Sequence, residues 1–286
     1  AKNTADRLVG WFAEPLNMPL LVPAFVGTDS LTERNSYFPH ALNSVAMADQ
    51  RPEFKRFDLQ LLAMHADLQK KLRLEGVVLY DKLCLTGFSD SGNFVDRFTL
   101  IHPERVKIAV AGGHNLLAMP TNQWKSQILN YPYGTANYEQ LFGRPFDLKA
   151  FNGVHKLHYR ANDDDKDPIY GVNHTPGGEK EMVLANFGTW QQRVQRYQGI
   201  FEALGVERVQ FNFYDGIGHT IPKEVVADIL RFIQANRGDT FVKTAHHVFI
   251  QEATMVQKTI RERFKKIQFG ASKENSESLG GVFGGG

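Results

Sequence analysis

Short apolar runs alternate with longer amphipathic stretches along most of the chain. Runs of strand length lie at residues 19–25, 82–87, 106–113, 154–160 and 209–214. Helical periodicity covers residues 58–74, 92–102, 189–204 and 222–236. In the first of these helices, one apolar face carries Leu59, Leu62, Ala63 and Ala66. Strands that alternate with helices predict an α/β fold, with a mostly parallel sheet and helices on both faces.

Two stretches interrupt this alternation, and both follow a predicted strand. Residues 114–152 are rich in Asn, Tyr, Pro and Gly, and residues 170–188 contain the turn sequence TPGGE. Because loops at the carboxyl ends of strands carry function in such sheets, we predict that both stretches form a cap. Their aromatic side chains either pack a small core of the insertion or line an apolar pocket; they are Trp124, Tyr131, Tyr133, Tyr138, Phe142 and Phe146.

The C-terminal part of the chain has a different pattern. Residues 1–239 are predicted to be one domain that includes the two cap insertions. Residues 240–269 have apolar positions at helical spacing and basic residues near the end, which predicts one amphipathic helix. We expect this helix to pack on the domain or on a second copy, giving a homo-oligomer, with binding to a membrane surface as the alternative. Residues 270–286 are predicted to be flexible.

Composition restricts the partners and the compartment. With 33 basic and 31 acidic residues the formal charge is +2, so we expect no nucleic-acid surface. No apolar run reaches the roughly 18 residues of a membrane helix. Cys84 is the only cysteine and the histidines lack metal-site spacing, so we expect no disulfide, metal or organic cofactor. A cytoplasmic location is expected; because the chain begins at Ala1, export with a removed signal peptide is the alternative.

The sequence GFSDSG, which starts at Gly87, is the strongest chemical signal. A serine at a sharp turn from strand to helix projects out of the sheet, and the positions two before and two after it must be small. Gly87 and Ser91 occupy those positions around Ser89. The amide of Asp90 would then lie at a helix N-terminus and serve as an oxyanion donor. Ser91 is the competing nucleophile, although Asn93 fits its +2 position poorly, and a purely structural turn is the third interpretation.

A serine nucleophile needs a base, and the base needs a carboxylate that orients it. His219 follows the last predicted strand, in the glycine-rich sequence DGIGH, and is the predicted base. The carboxylate should lie between them in the chain, after a strand. The acidic run there offers Asp163, Asp164, Asp165 and Asp167. Asp164 is favoured because it lies at the usual reach of this loop.

The elbow GFSDSG, the order Ser89, Asp164, His219 and the GIGH loop resemble the α/β-hydrolase superfamily over about residues 15–237. A closer likeness is to a bacterial group of esterase-like hydrolases with a GFSxSG elbow followed by RF and LHPERV, where this chain has GFSDSGNFVDRFTLIHPERV. The resemblance implies an α/β-hydrolase fold and assigns the acid to Asp164. Asp90 replaces a small residue of that group, and Ala161 replaces a glycine.

The resemblance also implies a second oxyanion donor after the first predicted strand. The backbone amide of Phe25 or Val26 is the candidate, although the usual His-Gly-Gly signature is absent. The expected activity is hydrolysis of a small-molecule carboxylic ester. Cleavage of an amide or peptide bond and transfer of the acyl group use the same machinery. A non-catalytic binding protein on the same fold is the alternative of a different class.

Overall fold

The computed structural model describes residues 6–25, 42–77, 79–114, 118–167 and 179–238. Its helices are α1 (Glu14–Leu16), α2 (Ser44–Ala48), α3 (Phe57–Leu74), α4 (Asp90–Ile101), α5 (Tyr138–Phe142), α6 (Leu148–Asn152), α7 (Glu179–Phe187), α8 (Trp190–Ala203) and α9 (Lys223–Asn236). Its strands are β1 (Leu83–Phe88), β2 (Val106–Gly112), β3 (Gln123–Trp124), β4 (Gln127–Ile128), β5 (His155–Ala161) and β6 (Val209–Tyr214). A π-helical turn, Val9–Ala13, precedes α1, and a 3₁₀ turn, Pro103–Arg105, precedes β2.

The main sheet has the strand order β1-β2-β5-β6, and every neighbouring pair in it is parallel. Parallel strands need a crossover between them, and long helices supply it: α4 joins β1 to β2, and α8 precedes β6. The carboxyl ends of the four strands therefore lie along one edge. This topology confirms the predicted α/β class with a parallel sheet. The short strands β3 and β4 form a separate antiparallel pair.

Both faces of the main sheet are buried, as the near-continuous apolar sequence of β2 requires. On one face, Ala109 and Ala111 join the core formed by α3, α4 and α8. On the other face, Ile108 and Val110 pack with α9 and the N-terminal helical segment. Successive residues of β2 thus serve opposite cores, so the sheet is held as a rigid layer between helices.

The predicted apolar face of α3 is wrong for three of its four residues, and only Leu62 of the four packs against the core. The residues that α3 buries are Phe57, Asp58, Leu61, His65 and Leu72. Leu59 is 45% exposed, and Ala63 and Ala66 are exposed as well. The reason is that Asp58 is paired inside the protein, where its carboxylate accepts hydrogen bonds from Arg56 and lies 2.7 Å from the His102 ring. That pairing rotates the helix away from the face that hydrophobicity alone selects.

The predicted strand at residues 19–25 is also wrong, because this segment is irregular in the structure. Pro19 and Pro23 explain the difference. Each lacks a backbone N–H, and a strand that loses two donors in five residues cannot complete a ladder with a neighbour. The first strand of the sheet is therefore β1, which carries the elbow sequence.

All helices and strands named above lie in a compact unit, Ala1–Arg237. A second unit, Gly238–Gly286, contains the predicted amphipathic helix at 240–269 and the predicted flexible tail at 270–286. Both of those segments lie outside the described residues, as do residues 170–178 of the predicted cap segment 170–188. Within the described ranges, no helix is long and apolar enough to cross a membrane.

Candidate active site

The turn between β1 and α4 holds Ser89 in an unusual backbone conformation. Ser89 has φ 60° and ψ −124°, a conformation that is costly for a residue with a side chain, on the order of 1–3 kcal/mol. Its backbone is fixed on both sides. Ser89 N–H donates to the Gly112 carbonyl at 2.9 Å, and its own carbonyl accepts from Gly92 and Asn93 at 2.9 and 3.1 Å. The turn is therefore strained, but it is held by β2 and by the first turn of α4.

Two glycines make this close approach feasible. A Cβ atom at Gly87 would lie 2.1 Å from the carbonyl oxygen of Ser91, and one at Gly92 would lie 2.5 Å from the carbonyl oxygen of Gly112. Neither contact is sterically acceptable, because both neighbours are backbone atoms. The glycines two positions before and three positions after Ser89 therefore have a direct steric cause in this chain, and the small residue at Ser91 stays a prediction.

His219 lies in the loop between β6 and α9 and reaches the elbow. Its Nε2 atom is 3.0 Å from Ser89 Oγ. Gly216, with φ 70°, allows the loop to turn back toward the sheet after β6. The imidazole ring packs against Phe88, with the ring centroids 4.7 Å apart. The His219 side chain keeps 21% of its surface exposed, so the ring is open to small molecules from the solvent.

Asp164 lies in the loop after β5 and contacts the other nitrogen of His219. Its Oδ2 atom lies 2.8 Å from His219 Nδ1, and its side chain is 1% exposed. The other carboxylate oxygen, Oδ1, accepts from the Lys166 backbone N–H at 2.9 Å. A carboxylate only accepts, so the proton of a neutral His219 lies on Nδ1. The lone pair of Nε2 then faces Ser89 Oγ, and it can accept the proton of the hydroxyl.

The same loop explains why the neighbouring aspartates are not in this position. Asp163 and Asp165 are exposed. Asp167 is engaged elsewhere, because its Oδ2 accepts from Arg193 at 2.6 Å. Of the four carboxylates in the acidic run, Asp164 is the one whose side chain contacts His219.

Two arginines that sequence reasoning missed hold this loop. Arg160 donates from Nη2 to the carbonyl oxygens of Asp164 and Lys166, both at 3.0 Å, and its guanidinium lies 4.3 Å from the Trp190 ring centroid. Arg193 connects the loop to α8 and also donates to the Gly188 carbonyl at 2.8 Å. In the sequence, the signal for Arg160 was its position near the end of the predicted strand, in HYRA.

Both predicted oxyanion donors are among the described residues. Asp90 is the first residue of α4, so its amide belongs to the N-terminal turn of the helix, where backbone N–H groups point outward. Phe25 packs its ring against Phe57 and Phe94, at centroid distances of 5.0 and 5.7 Å. Val26 lies outside the described residues. The role of these amides stays a prediction.

The aromatic residues of the first predicted cap segment pack among themselves and with α4. Tyr138 donates its hydroxyl to the carbonyl of Ile101, the last residue of α4, at 2.6 Å. The Tyr138 and Phe142 rings are tilted against each other with centroids 4.7 Å apart, and Phe146 contacts both Tyr138 and Phe151. These contacts lie at the end of α4 opposite to Ser89. They fit the interpretation that the insertion packs its own small core, and a cap over the serine stays a prediction.

The described residues contain no group of three or more His, Cys, Asp or Glu side chains arranged to hold a metal ion. The polar groups at the site are thus a hydroxyl, an imidazole and a carboxylate in a chain of two hydrogen-bond contacts. In chemical terms, such a chain activates an alcohol as a nucleophile.

The parallel sheet agrees with the fold predicted from the sequence, and Ser89 follows β1, Asp164 follows β5 and His219 follows β6. No protein-family model matches the chain, and no curated protein matches it. Among solved structures, poly(aspartic acid) hydrolase-1 from Sphingomonas sp. KT-1 aligns at 16% identity and a TM-score of 0.45, over 66% of each chain.

A variant of Arabidopsis thaliana SOBER1 aligns at 14% identity and a TM-score of 0.41, over 82% of this chain and 93% of that one. A dipeptidyl-aminopeptidase-IV-like protein from Bacteroides ovatus aligns at 15% identity and a TM-score of 0.35, over 72% of this chain and 24% of that one. This chain thus spans about two thirds of the first protein and a quarter of the last. At these identities and TM-scores, the likenesses say nothing about what this chain acts on.

Proposed function

We propose that this protein is a serine hydrolase that cleaves carboxylic esters through an acyl-enzyme, with Ser89 as nucleophile, His219 as base and Asp164 as the orienting acid. The supporting observation is the continuous pair of contacts, 3.0 Å from Ser89 Oγ to His219 Nε2 and 2.8 Å from His219 Nδ1 to Asp164 Oδ2. The likeness of the elbow to the esterase-like GFSxSG group points to the same chemistry.

In the first half of the reaction, Ser89 Oγ attacks the ester carbonyl carbon while His219 Nε2 takes the hydroxyl proton. The negative charge that develops on the carbonyl oxygen is stabilised by the backbone N–H of Asp90 at the head of α4, together with the amide of Phe25. Asp164 stabilises the imidazolium that forms and keeps the ring in place. The tetrahedral intermediate then collapses, and His219 protonates the departing alcohol.

In the second half, water replaces the alcohol. His219 removes a proton from the water, whose oxygen adds to the acyl carbon. The bond from Ser89 Oγ to the acyl carbon then breaks, His219 returns the proton to Oγ, and the carboxylic acid leaves. The reaction needs no group beyond these side chains and amides. The partial exposure of the imidazole, at 21%, is consistent with entry of both substrate and water.

The test uses a fluorophosphonate probe, which reacts with an activated serine, and a series of p-nitrophenyl esters of increasing acyl length. We expect the probe to modify the peptide that contains Ser89. Ser89→Ala should abolish labelling and reduce ester turnover by about a million-fold, because the residues of a triad act as a unit. Ser91→Ala, two residues away on the same turn, is the matched control and should be labelled normally.

Failure of the probe to label the intact chain, or labelling that persists in Ser89→Ala and is lost in Ser91→Ala, contradicts the proposal. A parallel series of p-nitroanilides separates ester from amide cleavage. Turnover of the anilides that equals or exceeds that of the matched esters would replace the ester assignment with an amidase.

A further inference from the structure

A second polar cluster lies buried beneath the elbow, and the proposed reaction does not use it. It consists of Asp96, His114, His158 and Tyr197, which are 5%, 5%, 7% and 1% exposed. His114 Nε2 is 3.1 Å from His158 Nδ1, and His114 Nδ1 is 3.8 Å from Asp96 Oδ2. Asp96 also accepts the Tyr197 hydroxyl at 3.1 Å. Polar groups this deeply buried are costly unless they are paired with one another.

The hydrogen bond between His114 and His158 has a preferred direction. His158 Nε2 is buried without a hydrogen-bond partner. A proton there would leave a donor unsatisfied, so the proton of a neutral His158 belongs on Nδ1, where it is donated to His114 Nε2. Burial lowers the pKa of His158 well below its usual value, which keeps this ring neutral. His114 then carries its proton on Nδ1, which faces Asp96 Oδ2 at 3.8 Å; this distance is too long for a hydrogen bond, and the contact is electrostatic.

Asp96 accepts its hydrogen bonds from groups other than His114. Besides Tyr197, it accepts the backbone N–H of Ala118 at 2.8 Å. Burial raises the pKa of Asp96 to about 7, even though these two hydrogen bonds favour the ionised form. Removing His114 would therefore take away a neighbour from a carboxyl group that is already poorly solvated.

The cluster joins the three elements that carry or support the nucleophile and the acid. Asp96 lies on α4, seven residues and thus two helical turns after Ser89. His114 follows Gly112, whose carbonyl holds the Ser89 amide, and a Cβ at Gly92 would lie 3.3 Å from the His114 Cβ. His158 lies on β5, the strand that leads to Asp164. One side chain, His114, therefore contacts α4 and β5 while its backbone continues the strand behind the elbow.

We infer that His114 is a positioning residue: by pairing with His158 and facing Asp96 it fixes the nucleophile helix relative to the strand that leads to Asp164. This inference rests on the proposed function of Ser89, His219 and Asp164. The buried pair of His114 and His158 would then keep Ser89 aligned with His219, because the 3.0 Å contact between those two residues depends on where α4 lies.

The first test compares His114→Leu with His114→Gln, whose amide can replace the Nε2 contact. A misplacement of about 1 Å costs on the order of 100-fold in rate, so we expect His114→Leu to slow probe labelling and lower kcat about 100-fold. KM should stay within about two-fold, since alignment is lost rather than binding. His114→Gln should recover most of the rate.

His65→Leu is the matched control, because His65 is also a buried histidine, 5% exposed, but lies on α3. It should lose stability in urea without a change in the labelling rate of the folded protein. Normal labelling of His114→Leu, equal slowing in His65→Leu, or a His114→Gln variant as slow as His114→Leu would each overturn the inference. If His114→Leu does not fold, His158→Asn, which keeps a donor at the Nδ1 position, is compared with His158→Leu in the same way.

A second readout does not depend on catalysis. In protein labelled with ¹⁵N-histidine, an N–H···N coupling between His158 and His114 should be visible, and the imidazole resonances of His219 should shift in His114→Leu but not in His65→Leu. If the intact chain is not labelled by the probe yet His219 shifts in this way, the proposed function fails and the positioning role stands. If His219 resonances and labelling are both unmoved, the positioning role is wrong.

Discussion

Helix α4 has an aspartate–histidine pair at each of its ends. Near its N-terminus, Asp164 Oδ2 lies 2.8 Å from His219 Nδ1. Near its C-terminus, Asp58 Oδ2 lies 2.7 Å from His102 Nε2. The two contacts are nearly equal in length, and both aspartate side chains are fully or almost fully buried. Any difference in what the pairs do must come from the groups around them.

The surroundings differ most at the second nitrogen of each imidazole. His219 Nε2 faces a hydroxyl, Ser89 Oγ, at 3.0 Å. His102 Nδ1 instead lies 3.6 Å from Glu104 Oε1 and 3.4 Å from Arg144 Nη2. The side chain of His102 is also 8% exposed, against 21% for His219. An Asp–His pair can activate a nucleophile only where the free nitrogen meets one, so the C-terminal pair serves to hold the helix.

Electrostatics supports the structural assignment of the C-terminal pair. Burial works against ionisation of Asp58, but hydrogen bonds from Arg56 and His102 outweigh it and lower the pKa of Asp58 to about 2. Burial alone would lower the pKa of His102, yet its contacts with Asp58 and Glu104 raise it above the usual value. The raised pKa favours the charged form of His102, which cannot accept a proton as a base would.

The largest difference between the two pairs is expected when the carboxylate charge is removed from each of them. Asp164→Asn should lower kcat by about ten-thousand-fold with the fold retained, because His219 loses the group that fixes its tautomer. Asp58→Asn should leave kcat of the folded protein within about three-fold, since no reacting atom contacts that pair. Ester turnover and circular dichroism of both variants decide this.

Asp163→Asn is the matched control for the first variant, because Asp163 lies next to Asp164 in the same loop but is exposed. If it loses activity while Asp164→Asn stays near normal, the acid has been assigned to the wrong residue. A large loss of kcat in folded Asp58→Asn would show that the two ends of α4 are coupled.

The second prediction concerns stability at the C-terminal pair. His102→Leu leaves the Asp58 carboxylate, 0% exposed, with Arg56 as its remaining charged partner. Removing one member of a buried pair typically costs about 3–5 kcal/mol, so we expect the free energy of unfolding in urea to fall by that order. His155→Leu, at a half-buried histidine of β5 for which the structure gives no ion pair within the described ranges, should cost much less. Equal losses in the two variants would mean that the pair does not stabilise the protein.

The two pairs also differ in how far the sequence predicts them. Ser89 and His219 could be predicted because their requirements are local: small residues around a turn, and a glycine-rich loop after a strand. The acidic run offered four carboxylates, and the reach of the loop favoured Asp164. In the structure, Arg193 engages Asp167, while Asp163 and Asp165 are exposed.

The C-terminal pair left no local signal. Asp58 and His102 are 44 residues apart. His102 lies in the stretch that resembles LHPERV, but nothing in that stretch indicates Asp58 as its partner. Hydropathy alone directed Leu59 rather than Asp58 toward the core, because periodicity treats every carboxylate as a surface group. Arg160 was not predicted for a related reason, because periodicity also treats a guanidinium as a surface group, whereas Arg160 is buried. Buried charges are decided by partners distant in the chain, and a single sequence does not supply those partners.

The third prediction uses pH to separate the contributions of Asp58 and His102 to stability. The unfolded Asp58 carboxyl titrates near 3.8 and the folded one near 2, so the native state binds fewer protons in that range. Stability from this group is complete above about pH 4 and is lost as the pH falls toward 2, by roughly 2 kcal/mol. His102 acts in the opposite direction: its contribution is complete below its unfolded pKa and is lost as the pH rises through the raised folded value.

Urea midpoints measured against pH test both limbs. Asp58→Asn should flatten the acidic limb, and His102→Gln should flatten the limb above neutral pH. Asp67→Asn is the control, because Asp67 forms an exposed pair with Lys71, and such pairs contribute little. An acidic limb that is unchanged in Asp58→Asn would assign the acid sensitivity to other carboxylates.

The smallest effect is expected at Asp90, the first residue of α4 and the neighbour of Ser89. A carboxylate in the first turn interacts favourably with the helix dipole, so Asp90→Ala should destabilise the protein by about 0.3–1 kcal/mol. The same charge opposes the oxyanion that develops nearby, by about 1 kcal/mol at solvent-screened distances. We therefore expect Asp90→Ala to raise kcat/KM for neutral esters a few-fold, and more for esters that carry a negative charge.

Glu104→Ala removes the same charge near the other end of the helix and serves as the control for a change in net charge. If it shifts the preference between neutral and anionic esters as much as Asp90→Ala does, the effect is one of overall charge rather than of position. If neither variant shifts the preference, the Asp90 side chain points away from the reacting carbonyl and acts only at the start of the helix. The N-terminal end of α4 would then owe its chemistry to the backbone and to Ser89 alone.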